Sequence, residues 1–212
     1  KIRLAFPAPD QVHIQVAPRG VDLSISGGSY TLSETDSQAI ITTSALKVAV
    51  NKDPYRIEIR KSDGTLITQQ SDPTTMANIS WADNGEAVTR IADHWSTNPD
   101  ERFEGFGERY DRLNQLGHSV VNYVYNQYRD QGTTGHTYLS VPFYTNSAGY
   151  GLFVNSTRTT EFDLGASDSS VASFSTSMGP QQALDYYIFT GDPTEILDSF
   201  TAVTGRPKLP PK

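Results

Sequence analysis

Side chains able to do chemistry gather between Phe103 and Asp130. Gly105-Phe106-Gly107-Glu108-Arg109 is followed by Leu113-Asn114-Gln115-Leu116-Gly117-His118, and then by Tyr123-Val124-Tyr125-Asn126-Gln127-Tyr128-Arg129-Asp130. Glu108 is the acid that stands out. Paired with an arginine such as Arg109 or Arg112 it is more economically structural than catalytic, because buried charges persist chiefly when paired. The last stretch mixes ring faces with amide, guanidinium and carboxyl groups. Rings pack on the C–H surfaces of sugars, and Asn, Gln, Arg and Asp supply the directional hydrogen bonds that hydroxyl groups need. Tyr125, Asn126, Gln127, Tyr128, Arg129 and Asp130 combine these groups, a composition that suits a sugar site. The competing reading has Tyr123 and Tyr125 packing inside the fold or at a domain interface.

Other chemistries find less support. His13, His94, His118 and His136 are scattered, without metal-ligand spacing such as H-x-x-x-H, and cysteine is absent. No metal and no cofactor is expected. Seventeen basic against 24 acidic residues give a net charge of -7, with Lys and Arg dispersed rather than in a phosphate-tracking stripe, so nucleic acid is not an expected partner. No apolar run approaches the roughly 20 residues of a membrane helix, and Lys1 to Pro7 lack a signal-peptide core. Charged residues make up 19%, below the ~25% of an average chain, and Ser, Thr and Tyr abound. That composition suits an extracellular or secreted β protein, with a cytoplasmic one still open. Asn78-Ile79-Ser80 and Asn155-Ser156-Thr157 match the glycosylation acceptor pattern incidentally.

The elements that must position these residues read as strands. Val12, Ile14 and Val16 alternate with polar residues, as do Val21, Leu23 and Ile25, and Tyr55, Ile57 and Ile59. Gly27-Gly28, Asp63-Gly64 and Ser147-Ala148-Gly149 supply turn chemistry for at least three hairpins. Val120 to Tyr128, Tyr138 to Thr145, Tyr150 to Asn155, Thr159 to Leu164 and Leu184 to Phe189 extend the pattern. Ser71 to Asp100 reads as long excursions around a short strand near Val88 to Ala92, holding both Trp81 and Trp95. One helix is expected, near Pro193 to Thr204. Asp192 caps it, Pro193 opens it, Glu195 closes a capping box and Gly205 stops it, with Ile196, Leu197, Phe200 and Val203 on one face. The economical architecture is an all-β antiparallel sandwich.

In order and spacing, the motifs resemble those of glycoside hydrolase family 31. Gly105 to Arg109 looks like that family's G-x-G-E-[RH], Leu113 to His118 like its L-[ND]-Q-[RK]-G-x, and Tyr138 to Phe143 like its Y-x-x-[IV]-P-F strand. Gly149-Tyr150-Gly151 looks like its G-Y-G turn, and Thr204 to Pro207 with Leu209-Pro210-Pro211 like its T-G-x-P-x-L-P-P linker. The resemblance covers roughly residues 40 to 212. It implies a galactose mutarotase-like supersandwich over residues 1–205 and a linker over 206–212 toward a catalytic (β/α)8 barrel. No catalytic residue is expected here, since both catalytic aspartates of the family lie in that barrel. The resemblance also implies that the loop containing Tyr125 to Asp130 reaches the barrel mouth and helps shape the substrate subsites there, which makes Tyr125, Asn126, Gln127, Tyr128, Arg129 and Asp130 the candidate substrate-binding residues. Many family α-glucosidases have W-N-x-D there; this chain has Tyr125-Asn126-Gln127-Tyr128, so the aspartate is replaced or has moved to Asp130.

The function this implies is an accessory domain of a retaining α-glucosidase or α-transglucosylase acting on α-glucosides and oligosaccharides. Its partners would be the intramolecular barrel and an α-linked oligosaccharide. A free-standing carbohydrate-binding module is the alternative, since a sandwich with exposed aromatics would suffice. An aldose epimerase-like enzyme would instead need His118 or His136 to face a carboxylate such as Glu161.

Overall fold

Alternation of inward and outward side chains sets the architecture. The computed structural model describes residues 1–18, 20–23, 25, 27–72, 77–124, 139–179 and 182–208. Its strands are, in chain order, β1 (Ile2–Ala5), β2 (Gln11–Val16), β3 (Thr31–Glu34), β4 (Gln38–Thr42), β5 (Leu46–Lys52), β6 (Tyr55–Lys61), β7 (Leu66–Gln69) and β8 (Ile79–Asp83). They continue with β9 (Val88–Ser96), β10 (Phe103–Gly107), β11 (Ser119–Asn122), β12 (Ser140–Asn146), β13 (Tyr150–Val154), β14 (Thr160–Leu164), β15 (Val171–Ser177) and β16 (Leu184–Thr190), and then the helix α1 (Pro193–Thr204). Among the described residues three antiparallel sheets result: β1-β2-β16-β13-β12-β10, β11-β14-β15-β9-β8 and β3-β4-β5-β6-β7. A bridge between Gln70 and Trp95, with the Ser71 N–H donating to the His94 carbonyl at 3.0 Å, stitches the third sheet to the second along β9. Apolar residues of all three sheets, among them Ile14, Ile59, Trp95, Phe162 and Tyr186, share one buried core. Among the described residues the expected sandwich with one late helix is what forms.

Buried where the three sheets meet lies a carboxyl group. Asp93 is fully buried on β9. Its Oδ1 accepts from the Gln70 side chain at 2.8 Å and from the His94 N–H at 2.8 Å, and its Oδ2 accepts from the Tyr186 hydroxyl at 2.6 Å. Gln70 in turn accepts the Ile57 N–H of β6 at 2.8 Å. One side chain thus joins all three sheets. Burial pushes the Asp93 carboxyl up to about 7, with the Tyr186, Gln70 and His94 donors pulling the other way. Burial, with Asp93 beside it, also holds the Tyr186 phenol well above its ordinary value, which keeps it a donor.

The helix covers the outer face of the first sheet. Asp192 accepts from the Thr194 and Glu195 N–H groups, Glu195 accepts the Asp192 N–H at 2.9 Å, and Gly205 ends the helix at φ 98°. Ile196 is buried against Phe143, Phe153 and Phe189, and Phe200 stacks on Phe143 with ring centroids 4.1 Å apart. A Cβ on Gly151 would lie 2.5 Å from Ile196 Cγ2, so this glycine makes room for the helix. The apolar face is narrower than its sequence reads: Leu197 and Val203 stay exposed, because only the Ile196 and Phe200 positions point at the sheet.

Two further expectations need correction. Val21, Leu23 and Ile25 do not form a strand, and Gly27-Gly28 closes no hairpin. The segment's polar groups turn elsewhere: the Arg3 guanidinium donates to the Leu23 carbonyl, and Phe6 N–H donates to the Gly27 carbonyl at 3.4 Å. The region from Ser71 to Asp100 contains β8 and the long β9, not a short strand over Val88 to Ala92. Ile91, Asp93 and Trp95 all point inward, and the acid among them masks the apolar alternation.

Raising a carboxyl above its unfolded value of 3.8 places its stabilising contribution below that value, and it is lost as pH rises through about 7. Asp93→Asn is therefore expected to flatten the fall in thermal midpoint across that window and to melt above wild type at about pH 8, with the gap closing in acid. Thermal unfolding followed by circular dichroism across pH checks this, and parallel curves for the two proteins would contradict it. Ile196→Ala is expected to cost about 2–5 kcal/mol by denaturant unfolding.

Candidate functional site

The segment singled out by its motifs forms a clasp along the edge of the first sheet. β10 meets β12 across a bulge between Gly105 and Gly107. A Cβ on Gly105 would lie 2.6 Å from the Phe143 carbonyl oxygen, and one on Gly107 2.0 Å from that of Leu139, so only glycine allows this approach. Between them Phe106 takes φ 69° and drives its ring into the core, 5.1 Å from Phe162 and 5.4 Å from Tyr144. The first part of the motif is a core plug between two close approaches.

The rest of the motif ties down the connection from β10 to β11. Asn114 Oδ1 accepts the Phe103 and Leu116 N–H groups, each at 3.0 Å. Gln115, 1% exposed, donates to Asp111 Oδ1 at 3.1 Å and to the Arg112 carbonyl at 2.8 Å. The Arg109 guanidinium lies 3.3 Å from Asp111. Burial would raise the Asp111 carboxyl, but the Arg112 N–H, the Arg109 charge and Gln115 together hold it below the ordinary range. Glu108 accepts the Tyr110 hydroxyl at 2.5 Å. These acids are bound into local structure. Tyr110 and Leu113 nonetheless stand exposed, by 59% and 74%.

Tyr125, Asn126, Gln127, Tyr128, Arg129 and Asp130 lie outside the described residues, as do His136, Tyr138 and Leu209 to Pro211. Their flanks are described. β11 ends at Asn122 and β12 begins at Ser140; Tyr123, Val124 and Leu139 are exposed beside them. The epimerase arrangement is not assembled from His118 and Glu161: His118 Nε2 lies against the Arg112 guanidinium, and Glu161 pairs with Arg90 at 3.0 Å. His13 stacks on Tyr187 with centroids 3.8 Å apart and meets Asp185 at 2.8 Å, and His94 Nδ1 lies 3.0 Å from the Asn78 carbonyl. Asn78 itself is buried, with its amide donating to the Tyr55 carbonyl at 2.6 Å and accepting from Ser71, which leaves no room for a glycan. Among the described residues no cluster of three His, Asp or Glu could hold a metal ion.

Sequence reasoning overlooked the turn from Asn155 to Thr159. Two pockets adjoin it and share Ser156, Thr157 and Arg158. One, of about 350 Å³, is completed by Gln15, Asp22 and Asp185; the other, of about 270 Å³, by Asn122, Tyr123, Ser140 and Pro142. The available signal was Asn122, a polar residue two positions after Val120 and so facing inward with it.

Comparison with known proteins sets these features in context. A model of the glycosyl hydrolase 31 N-terminal galactose mutarotase-like domain matches residues 1–163. An isomaltosyltransferase of Sporosarcina globispora is 41% identical over 100% of this chain, which spans 20% of that protein. The α-xylosidase XylQ of Lactiplantibacillus pentosus is 32% identical over 94% of the chain and 25% of its own length. A cycloalternan-forming enzyme of Listeria monocytogenes, solved with a pentasaccharide substrate, superposes with TM-score 0.93 at 35% identity, over 99% of this chain and 20% of that one. A mutant dextranase of Flavobacterium johnsoniae, complexed with isomaltotriose, does so with TM-score 0.83 at 26% identity, over 99% and 26%.

The clasp generates a discriminating prediction. Gly107 and Gly117 both have positive φ, 88° and 77°, but only Gly107 is crowded by backbone. Gly117→Ala should cost about 1 kcal/mol and Gly107→Ala clearly more, because the second also separates β10 from β12. Denaturant unfolding measures both, and equal losses would contradict the account of the bulge.

Proposed function

Because this chain belongs to the glycosyl hydrolase 31 N-terminal galactose mutarotase-like domain family, we propose that it is the accessory sandwich of a retaining α-glycoside hydrolase or transglycosylase acting on α-glucosides and their oligosaccharides. Residues 1–205 form the domain, and 206–212 lead toward a (β/α)8 barrel. There, two carboxyl groups about 5 Å apart perform the double displacement. The sandwich braces this barrel, and Tyr125 to Asp130 border the entrance to its sugar site. The relatives include both a transferase and an α-glucosidase, so the proposal spans both reactions.

One observation carries this reading. The polar residues of the motif are spent on local structure, whereas five of the chain's exposed large apolar side chains flank β10, β11 and β12: Tyr110 and Leu113 between β10 and β11, Tyr123 and Val124 after β11, and Leu139 before β12. Clustered exposed apolar groups mark surfaces that another body covers. The paired strands β11 and β12 flank the segment that holds Tyr125 to Asp130, and binding residues are commonly carried between such scaffold elements.

The test uses Gln127→Ala and Arg129→Ala in the full-length enzyme. Each removes a donor for a sugar hydroxyl and is expected to cost about 1–3 kcal/mol in kcat/KM on an oligosaccharide that fills the entrance subsites. Thermal unfolding should stay unchanged. Unaltered kinetics in both variants would reject the loop's role, and a fall in stability with a proportionate fall in activity would assign the loop to packing. The 212-residue chain alone should not turn over nitrophenyl α-glycosides; turnover by material free of host enzymes would contradict the accessory role.

A further inference from the structure

We propose that the 270 Å³ pocket between the end of β11, the start of β12 and the Asn155–Thr159 turn binds one pyranose unit of an α-glucoside, as an auxiliary sugar site on the sandwich itself. The argument begins with unmet hydrogen bonds. Asn122 is 6% exposed, and neither its Nδ2 nor its Oδ1 has a partner among the described residues; the Ser140 hydroxyl is likewise buried and unpartnered among them. Buried polar groups are normally satisfied, and leaving one unmet costs about 1–3 kcal/mol. Asp93, Gln70 and Asn78, equally buried polar residues of this chain, are all bonded. Thr68, Trp95 and Tyr150 also keep a buried polar atom without a hydrogen bond among the described residues; Asn122 and Ser140 differ in that both line the same pocket, and Asn122 has both its polar atoms unmet.

The pocket's dimensions and chemistry narrow the occupant. Its volume is many times the roughly 30 Å³ share of one water, so a single bridging water does not fill it. A carboxamide presents a donor and an acceptor side by side, which matches two neighbouring hydroxyls of a sugar ring, one accepting and one donating. Ser156, Thr157 and Thr159 also line it with further hydroxyls, and Arg158 adds a guanidinium. Tyr123 and Pro142 supply apolar faces for ring C–H groups. An inorganic anion fits less well, because Asn122 Oδ1 would face it with an unshared carbonyl dipole. A neutral polyol can answer both the donor and the acceptor of the Asn122 carboxamide.

The choice of an α-glucoside rests on the function proposed above, whereas the existence of the site rests on the pocket alone. Isotope-labelled 212-residue chain is titrated with methyl α-D-glucopyranoside while the Asn122 side-chain amide is followed by NMR, and the affinities of Asn122→Leu, Ser140→Ala and Trp81→Ala are measured in parallel. Trp81 lies on β8, outside this pocket's lining. The proposal expects saturable shifts at Asn122 in wild type and about tenfold weaker binding in each pocket variant. Wild-type affinity in Trp81→Ala is expected too. Asn122→Leu should keep or raise the thermal midpoint, since it removes two unmet groups, so lost binding there is not lost folding. Absence of saturable binding to wild type, undiminished binding in both pocket variants, or binding lost in Trp81→Ala would each overturn the proposal. None of these outcomes bears on the Gln127 and Arg129 kinetics, which report on the domain's role in the enzyme.

Discussion

Three sheets can share one core here because a single buried carboxyl group is satisfied from each of them. Asp93 on β9 takes hydrogen bonds from Gln70, at the end of β7, and from Tyr186 on β16. Such bonds are directional where apolar packing is not. They tie Gln70 and Tyr186, from the third and first sheets, to one point on β9 of the second. The arrangement carries a cost, since the same group would be more easily ionised in water, and that cost makes its stability contribution depend on pH. Hydrophobic contacts such as Phe174 with Tyr186, 4.9 Å between centroids, fill the space that the network defines.

How far the sequence foretells this structure depends on which residues face inward. Where the inward positions are apolar, as in Val12, Ile14 and Val16 or Tyr55, Ile57 and Ile59, alternation reveals the strand. The helix is legible to the residue, because Asp192, Pro193, Glu195 and Gly205 each perform a distinct local role that needs no tertiary context. β9 and β15 are obscured because Asp93 and Thr176 occupy inward positions that a periodicity argument assigns to apolar residues. Val21, Leu23 and Ile25 mislead in the opposite sense: their alternation is perfect, but Arg3 and Phe6 engage that stretch without any strand pairing.

The functional region shows the same division. The order of the motifs between Gly105 and Arg206 was enough to place the chain in its family, yet the work of each motif residue became visible only in three dimensions. Gly105 and Gly107 are required by the proximity of β12, Gly151 by the presence of Ile196, and Gln115 by its bonds to Asp111 and the Arg112 carbonyl. No spacing rule states these reasons, because each partner is distant or set by a turn. Inward polar residues are the clue that sequence reasoning passed over. Asp93 and Asn122 look alike in that register, and they part only when their partners are counted: one is fully met, and the other finds no partner among the described residues.

The central claim is that this sandwich acts through the edge where Tyr110, Leu113, Tyr123, Val124 and Leu139 are exposed, by packing that edge on a catalytic barrel. Amide hydrogen exchange compared between the 212-residue chain and the full-length enzyme tests it most directly. The account predicts slower exchange in the full-length enzyme for residues 108–114, 121–124 and 139–141, with β9 and β16 unchanged because they are already core. Identical exchange along that edge in the two proteins, or new protection confined to the opposite side near Trp81, would contradict it.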